Sequence, residues 1–375
     1  MRREELLEAL AEARDIPDGD GKVAELERII AHADAAADAR LGLDARLELI
    51  AAYNSTAERW RMLSPFGWCL TMFDRDPSLF SASDAEQLRR CHRWVVATLL
   101  STPRVGLAQA RAALDDLERR LRVDGHSLQA VYALRCRIAD HLGDEAAARE
   151  WLERWRSAAR DENSDCAGCE PARQAALLAS WGEWTEAVRV VEPVLQGVLG
   201  CVDQPERALA AVMVPYLRLG RLDDAAQAHV RAYRRHRRER NAFPFLAEHL
   251  RFCALGGWLD RGLDILAEQL GRLDHPYDEA SAMEFAAAGA LVCRLAAEAG
   301  HGERIIRRPA DDRPAADLTV AELGADLLAT AEDLAGRFDA RNGTNHQSGR
   351  MAAWLAERPL CDPFPLPPDQ PAEAA

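Results

Sequence analysis

Four glycines divide the middle of the chain into near-equal lengths: Gly143, Gly182, Gly220 and Gly257 lie 39, 38 and 37 residues apart. They sit in short turns, His141-Leu142-Gly143-Asp144, Ser180-Trp181-Gly182-Glu183, Leu219-Gly220-Arg221-Leu222 and Gly256-Gly257-Trp258-Leu259. On both sides of each turn, apolar side chains recur at helical spacing, as Ala208, Val212, Tyr216 and Leu217 do before Gly220. Five residues after each glycine comes a small residue, Ala148, Ala187, Ala225 or Gly262, where two helices would need to approach closely. Helix, glycine turn, helix at a fixed period predicts stacked αα-hairpins. A single hairpin cannot bury its apolar face, whereas a stack can.

Composition agrees with an all-α fold. Hydrophobic residues make up 48% of the 375 but aromatics only 6%, and Ala and Leu supply most of the rest. That mixture suits close helix packing better than sheets, which draw on Val, Ile, Thr and aromatics. The patterns predict four regions: an irregular N-terminal helical region over 1–125, a repeat core over 126–275, a C-terminal helical cap over 276–358 and a Pro-rich tail over 359–375. Helices are expected at 3–14, 20–37, 43–57 and 60–74, followed by one irregular hairpin over 84–122 that turns at Gly106. In the cap, helices at 277–299, 317–338 and 347–357 flank a Pro/Asp/Arg linker at 303–316. Phe338–His346 reads as a helix end closed by Asn342-Gly343 in a left-handed cap, or as a polar site of Asp, Arg, Asn and His. Cys361–Pro368 cannot be helical, and the end of the tail is expected to be poorly ordered.

The segment Leu219-Gly220-Arg221-Leu222-Asp223-Asp224-Ala225-Ala226, with Tyr216 upstream, resembles the turn consensus of the tetratricopeptide repeat family over residues 126–275. The resemblance implies a right-handed α-solenoid in which the first helix of each hairpin lines a concave, peptide-receiving groove. Periods of 37–39 exceed the family's standard length, so the connections between hairpins must be longer than usual. Six residues before each turn glycine stand Arg137, Ala176, Val214 and Arg251, with Arg173 and Arg207 on the same faces. Arg137, Arg173, Arg207 and Arg251 are thus candidate groove residues, suited to an acidic segment or a terminal carboxylate through bidentate bonds. Alternatively they pair with Glu170, Glu206 and Glu248 on their own helices. The implied function is a protein- or peptide-binding scaffold.

A second constellation carries metal or thiol chemistry. Cys166-Ala167-Gly168-Cys169 lies in the connection Asp161–Pro171 between two hairpins, and Cys201 follows Cys166 by 35 residues in the equivalent connection. Equivalent connections of neighbouring repeats stand side by side, which brings three sulfurs together. His236, another 35 residues on, is the candidate fourth ligand of a structural zinc. The same residues leave two alternatives: a thiol-redox or metal-dependent enzyme or sensor centred on Cys166, Cys169 and Cys201, or unremarkable thiols. The run Ser164–Glu170 with its later cysteine-containing connection is also similar to a group of uncharacterised bacterial repeat proteins.

Net charge is −14, which argues against general nucleic-acid binding and against anionic membranes. Lys22 is the only lysine among 47 basic residues, a bias that reads as GC-rich codon usage or as selection for bidentate anion contacts. Six arginines crowd into 231–240 with Tyr233 and His236. They suit a helix C-terminus, where carbonyls carry partial negative charge, or phosphate contacts of a nucleic-acid-responsive regulator. His229, on a helical face, reads as a packed and hydrogen-bonded side chain. No His-Glu-x-x-His, phosphate loop or Gly-x-Ser-x-Gly elbow occurs, so binding is favoured over catalysis. The N-terminus runs into an amphipathic helix, no long uncharged apolar stretch follows, and the nine cysteines are odd in number; the expected location is the cytoplasm.

Overall fold

Each repeat glycine holds a left-handed backbone, with φ of +81° at Gly143, +79° at Gly182, +71° at Gly220 and +75° at Gly257. One closure recurs around all four. The N–H of Asp144 donates to the carbonyl of Ala139, Glu183 to Leu178, Arg221 to Tyr216 and Trp258 to Cys253, at 2.8–2.9 Å. This six-residue closure satisfies the last carbonyls of one helix and turns the chain into the next. The period in the sequence is therefore the period of a backbone conformation that only glycine adopts without strain.

The computed structural model describes residues 2–310 and 313–368. Among them run seventeen α-helices: α1 Arg3–Asp15, α2 Asp20–Ala35, α3 Ala39–Ser55, α4 Leu63–Arg75, α5 Ala82–Leu100, α6 Leu107–Val123, α7 Gln129–Leu142, α8 Glu145–Ser157, α9 Cys169–Ser180, α10 Trp184–Leu195, α11 Glu206–Arg218, α12 Leu222–His236, α13 Leu246–Leu255, α14 Leu259–Gln269, α15 Glu279–Ala296, α16 Val320–Asn342 and α17 His346–Leu355. The five N-terminal elements expected from periodicity are all present, with α5 and α6 forming the hairpin that turns at Gly106.

The chain divides into two compact units, 1–134 with 154–163 and 135–153 with 164–375. In the first, α2 packs on α1 and α3, and α3 on α4 and α5. Leu26, Ile29, Leu43, Ile50 and Met62 are wholly buried between them. In the second, α9, α11, α13 and α15 pack one on the next, and each partner helix (α10, α12, α14) also contacts the first helix of the following hairpin. The small residues of the repeat are fully enclosed: Ala148, Ala187 and Ala225 are 0% exposed. A Cβ on Gly262 would stand 2.8 Å from Cγ1 of Val292. The stretch Glu279–His301 is long and apolar enough to cross a membrane, and 78% of its apolar window is buried by neighbouring helices.

Three differences from the sequence reading concern the C-terminal part. The expected linker at 303–316 and the first residues of the expected helix form an antiparallel pair instead, β1 Ile305–Arg308 with β2 Ala316–Thr319. Ile306 is its buried anchor at 3% exposure, which explains why a proline-interrupted segment takes strand form. Helix α16 starts at Val320 rather than 317, because Thr319 and Glu322 form a capping box. It runs on to Asn342, where Gly343 at φ +69° closes it, the left-handed cap expected from Asn342-Gly343. Asp339 then accepts from the backbone N–H of Gln347 and Ser348, both at 2.9 Å, and starts α17. The Pro-rich tail packs rather than trailing. Leu360 N–H donates to the carbonyl of Leu255 at 2.7 Å, and Phe364 is 8% exposed against Phe252 and Trp258. The expected disorder concerns residues 369–375, outside the described residues.

Candidate metal centre

Two connections build the site. Before α9, the carbonyl of Cys166 accepts from the N–H of Cys169 at 2.9 Å and of Glu170 at 3.1 Å. That turn places Cys169 as the first residue of the helix. Before α11, the carbonyl of Cys201 accepts from Gln204 N–H at 3.1 Å, closing a similar turn. The two connections touch through Gly168, where a Cβ would lie 2.9 Å from the carbonyl carbon of Gly200. Any larger residue at 168 would push them apart. The result is a cluster in which the Sγ atoms of Cys166, Cys169 and Cys201 all lie within 4.8 Å of one another.

Cys169 is buried and the other two are partly exposed. Its Sγ stands 3.5 Å from that of Cys201 and accepts from Nε2 of Gln204 at 3.7 Å, while Cys201 Sγ accepts from the N–H of Asp203 at 3.4 Å. Burial would raise the Cys166 thiol, but hydrogen bonds from Cys201 and from the backbone N–H groups of Cys169 and Gly168 outweigh it and hold the thiol below the ordinary range. Burial pushes Cys169 up to about 12, the two neighbouring sulfurs adding to the effect. Cys169 therefore resists taking negative charge on its own; a divalent cation among the sulfurs would reverse that preference.

Arginines brace both connections. Arg173 pairs with Asp165 at 2.8 Å and Arg207 with Asp203 at 3.0 Å. Arg235 donates to the carbonyl of Val202 and pairs with Glu206 at 3.4 Å and Asp203 at 3.6 Å. Arg231 also reaches Glu206, at 3.6 Å. Part of the arginine run thus lies against the Cys201 connection as its supporting wall. The four candidate groove arginines do not share one site. Arg173 and Arg207 serve the cysteine connections. Arg137 stands close enough to His141 to help depress its pKa. Arg251 is engaged by Glu357, with its guanidinium nitrogen 3.2 Å from that carboxylate.

His236 is not with the thiols. Its Nδ1 lies 3.1 Å from Nε2 of His249, and its ring stacks on Phe245 with centroids 5.0 Å apart. The 35-residue spacing misleads here, because Cys166 and Cys201 precede their helices whereas His236 is the last residue of α12 and packs toward α13. It belongs instead to a group the sequence only hinted at. Nδ1 of His249 lies 3.1 Å from Nδ1 of His229, so three buried imidazoles form one chain between α12 and α13. A neutral imidazole has one donor and one acceptor nitrogen, so His249 donates to one neighbour and accepts from the other. His229 stacks on Phe252 at 4.4 Å, the packed role its helical face suggested. A second cluster, His126 with Asp161 and Glu162, lies in the first unit. There Asp161 already accepts from the backbone N–H of Ser127 and Asn163, so it acts as a loop clasp.

Comparison with protein-family models and with curated proteins gives no match to this sequence.

Proposed function

We propose that the chain is a helical-repeat scaffold of tetratricopeptide type, a right-handed α-solenoid, whose two long connections are clipped together by zinc. Cys166, Cys169 and Cys201 are the ligands, and the fourth tetrahedral position is left to water or to another ligand. One observation carries this reading: three sulfurs from two connections meet within 4.8 Å while acidic and basic residues brace both connections from outside. Long irregular connections are entropically costly to order, and a metal bond between them offsets that cost. Within a scaffold, the inner face of the first helices would receive a peptide segment of a partner, in the cytoplasm, where nine free thiols stay reduced.

A second reading is a dithiol, favoured by the 3.5 Å separation of Cys169 and Cys201 sulfurs. Cobalt(II) titration separates the two. The clip predicts thiolate-to-cobalt charge-transfer absorption that saturates at one ion per chain and is lost in Cys169→Ser. A dithiol predicts no such spectrum, and mild oxidation that consumes two thiols and joins Cys169 to Cys201. The phosphate-gripping reading of the arginine run draws less support, because Arg231 and Arg235 are committed to Glu206 and Asp203 and Arg235 also to Glu239.

A further inference from the structure

The C-terminal segment is held at several places: α17 packs on α15 and α16, Arg350 pairs with Glu284 of α15 at 2.7 Å, and Glu357 ties its end to α11, α13 and α15. Glu357, just past the end of α17, receives Arg218 at 2.6 Å and Arg251 at 3.2 Å through its carboxylate, and Arg294 at 2.8 Å through its carbonyl. One turn earlier, Trp354 lies under the Arg251 guanidinium, 4.1 Å from ring centroid to carbon. Further along, Phe364 rests on Phe252 and Trp258.

This seam leaves donors unused. Nε of Arg218, Nε of Arg251, Nε of Arg294 and Nε1 of Trp258 are all buried, with no hydrogen-bond partner among the described residues. Buried donors without acceptors carry an uncompensated desolvation cost. Charge is also finely balanced. Arg294 has Glu298 at 2.6 Å and Arg251 has Glu248 at 3.5 Å, but Arg218 forms no ion pair except that with Glu357 among the described residues. Withdraw Glu357 and the face presents an unpaired arginine beside a second one and an empty aromatic seat.

We infer that this face of α11, α13 and α15 is a recognition site for an acidic segment of a partner protein, and that residues 346–364 are its built-in competitor. A partner segment with an aromatic residue one turn before paired carboxylates would stack on Arg251 as Trp354 does. It would also bring more acceptor oxygens to the arginines than Glu357 supplies. The inference rests on the scaffold reading of the repeats and is independent of the metal. While the arm is seated, the apparent affinity for a competitor falls by the fraction of time the site is free.

The test uses the full chain and a fluorescein-labelled synthetic peptide with the sequence of residues 348–360, read by anisotropy. Wild type is expected to bind it weakly. Glu357→Gln and Trp354→Ala, each of which loosens the arm, are expected to bind it at least tenfold more tightly. A peptide carrying Glu357→Gln should lose that gain, as should Arg218→Gln placed in the Trp354→Ala chain. Hydrogen exchange reports arm release in both variants as loss of protection at residues 346–357 while the amides of α11 and α13 stay protected, so a variant that folds poorly is not mistaken for an open one. Continued protection of residues 346–357 in both variants would make the arm a fixed part of the fold and overturn the proposal. Equal binding of the Glu and Gln peptides would remove the carboxylate site yet leave a peptide-binding scaffold standing. Released arms that bind neither peptide would remove both.

Discussion

Acidification from pH 7 toward pH 4.5 is expected to unfold the second unit, with the loss of stability beginning near pH 6.5. Its cause is the chain His229–His249–His236, exposed by 0%, 0% and 2%. Burial depresses His229 and His236 to about 3, with Arg261 acting on the former and Arg207 and Arg235 on the latter. Burial and the two flanking rings also hold His249 well below its ordinary value. In the unfolded chain these groups bind protons near 6.5; in the folded chain they stay neutral. Their contribution is therefore complete above 6.5 and is lost as pH falls from 6.5 toward 3. Each group contributes about 1.4 kcal/mol per pH unit in that window, so His229 and His236 alone remove about 5 kcal/mol over two units. That approaches the whole stability of an ordinary domain. His141, held at about 3 by burial and by Arg341, adds to the same slope. Urea midpoints at pH 7, 6 and 5 measure it. His229→Gln should flatten the slope by about 1.4 kcal/mol per pH unit, and a wild-type profile already flat down to pH 5 would mean the imidazoles are hydrated.

The proposed zinc clip predicts an effect of comparable size when metal is removed at neutral pH. Structural zinc in small thiolate sites is worth on the order of 10 kcal/mol, and part of that appears as folding free energy. Treatment with a strong chelator, or Cys169→Ser, should lower the urea midpoint and free the amides of residues 164–169 and 199–204 to exchange. Cys169 is the informative position of the proposed clip because it is the buried thiol and starts α9. Cys361→Ser, remote in sequence from both connections, should change neither midpoint nor metal content. An unchanged midpoint after complete chelation would make the cluster incidental to stability.

What could be read from the sequence was what local backbone chemistry repeats. Gly143, Gly182, Gly220 and Gly257 were legible because a left-handed turn needs glycine at a fixed interval, and Ala148, Ala187 and Ala225 because an enclosed position excludes bulk. The three cysteines were legible because equivalent connections of adjacent hairpins meet. The rest depends on contacts that no local pattern encodes. Glu357 and Arg218 are 139 residues apart, and nothing near either announces the other. His236 has the right spacing for the cysteine series but sits inside a helix, so its direction is set by α13. The Pro-rich tail has no periodic pattern by which order is usually inferred, and it is held by the Leu360 N–H bond to Leu255 and by Phe364. The short strands Ile305–Arg308 and Ala316–Thr319 hid beside Pro309 and Pro314, which break the alternation by which strands are read.

The most direct test of the central claim is the zinc content of the untagged chain as isolated, measured with a native thiol count. The zinc-clipped scaffold predicts one zinc per chain and three thiols, Cys166, Cys169 and Cys201, shielded from reagent until a chelator is added. Metal-free protein with Cys166 and Cys201 reacting at once would contradict it.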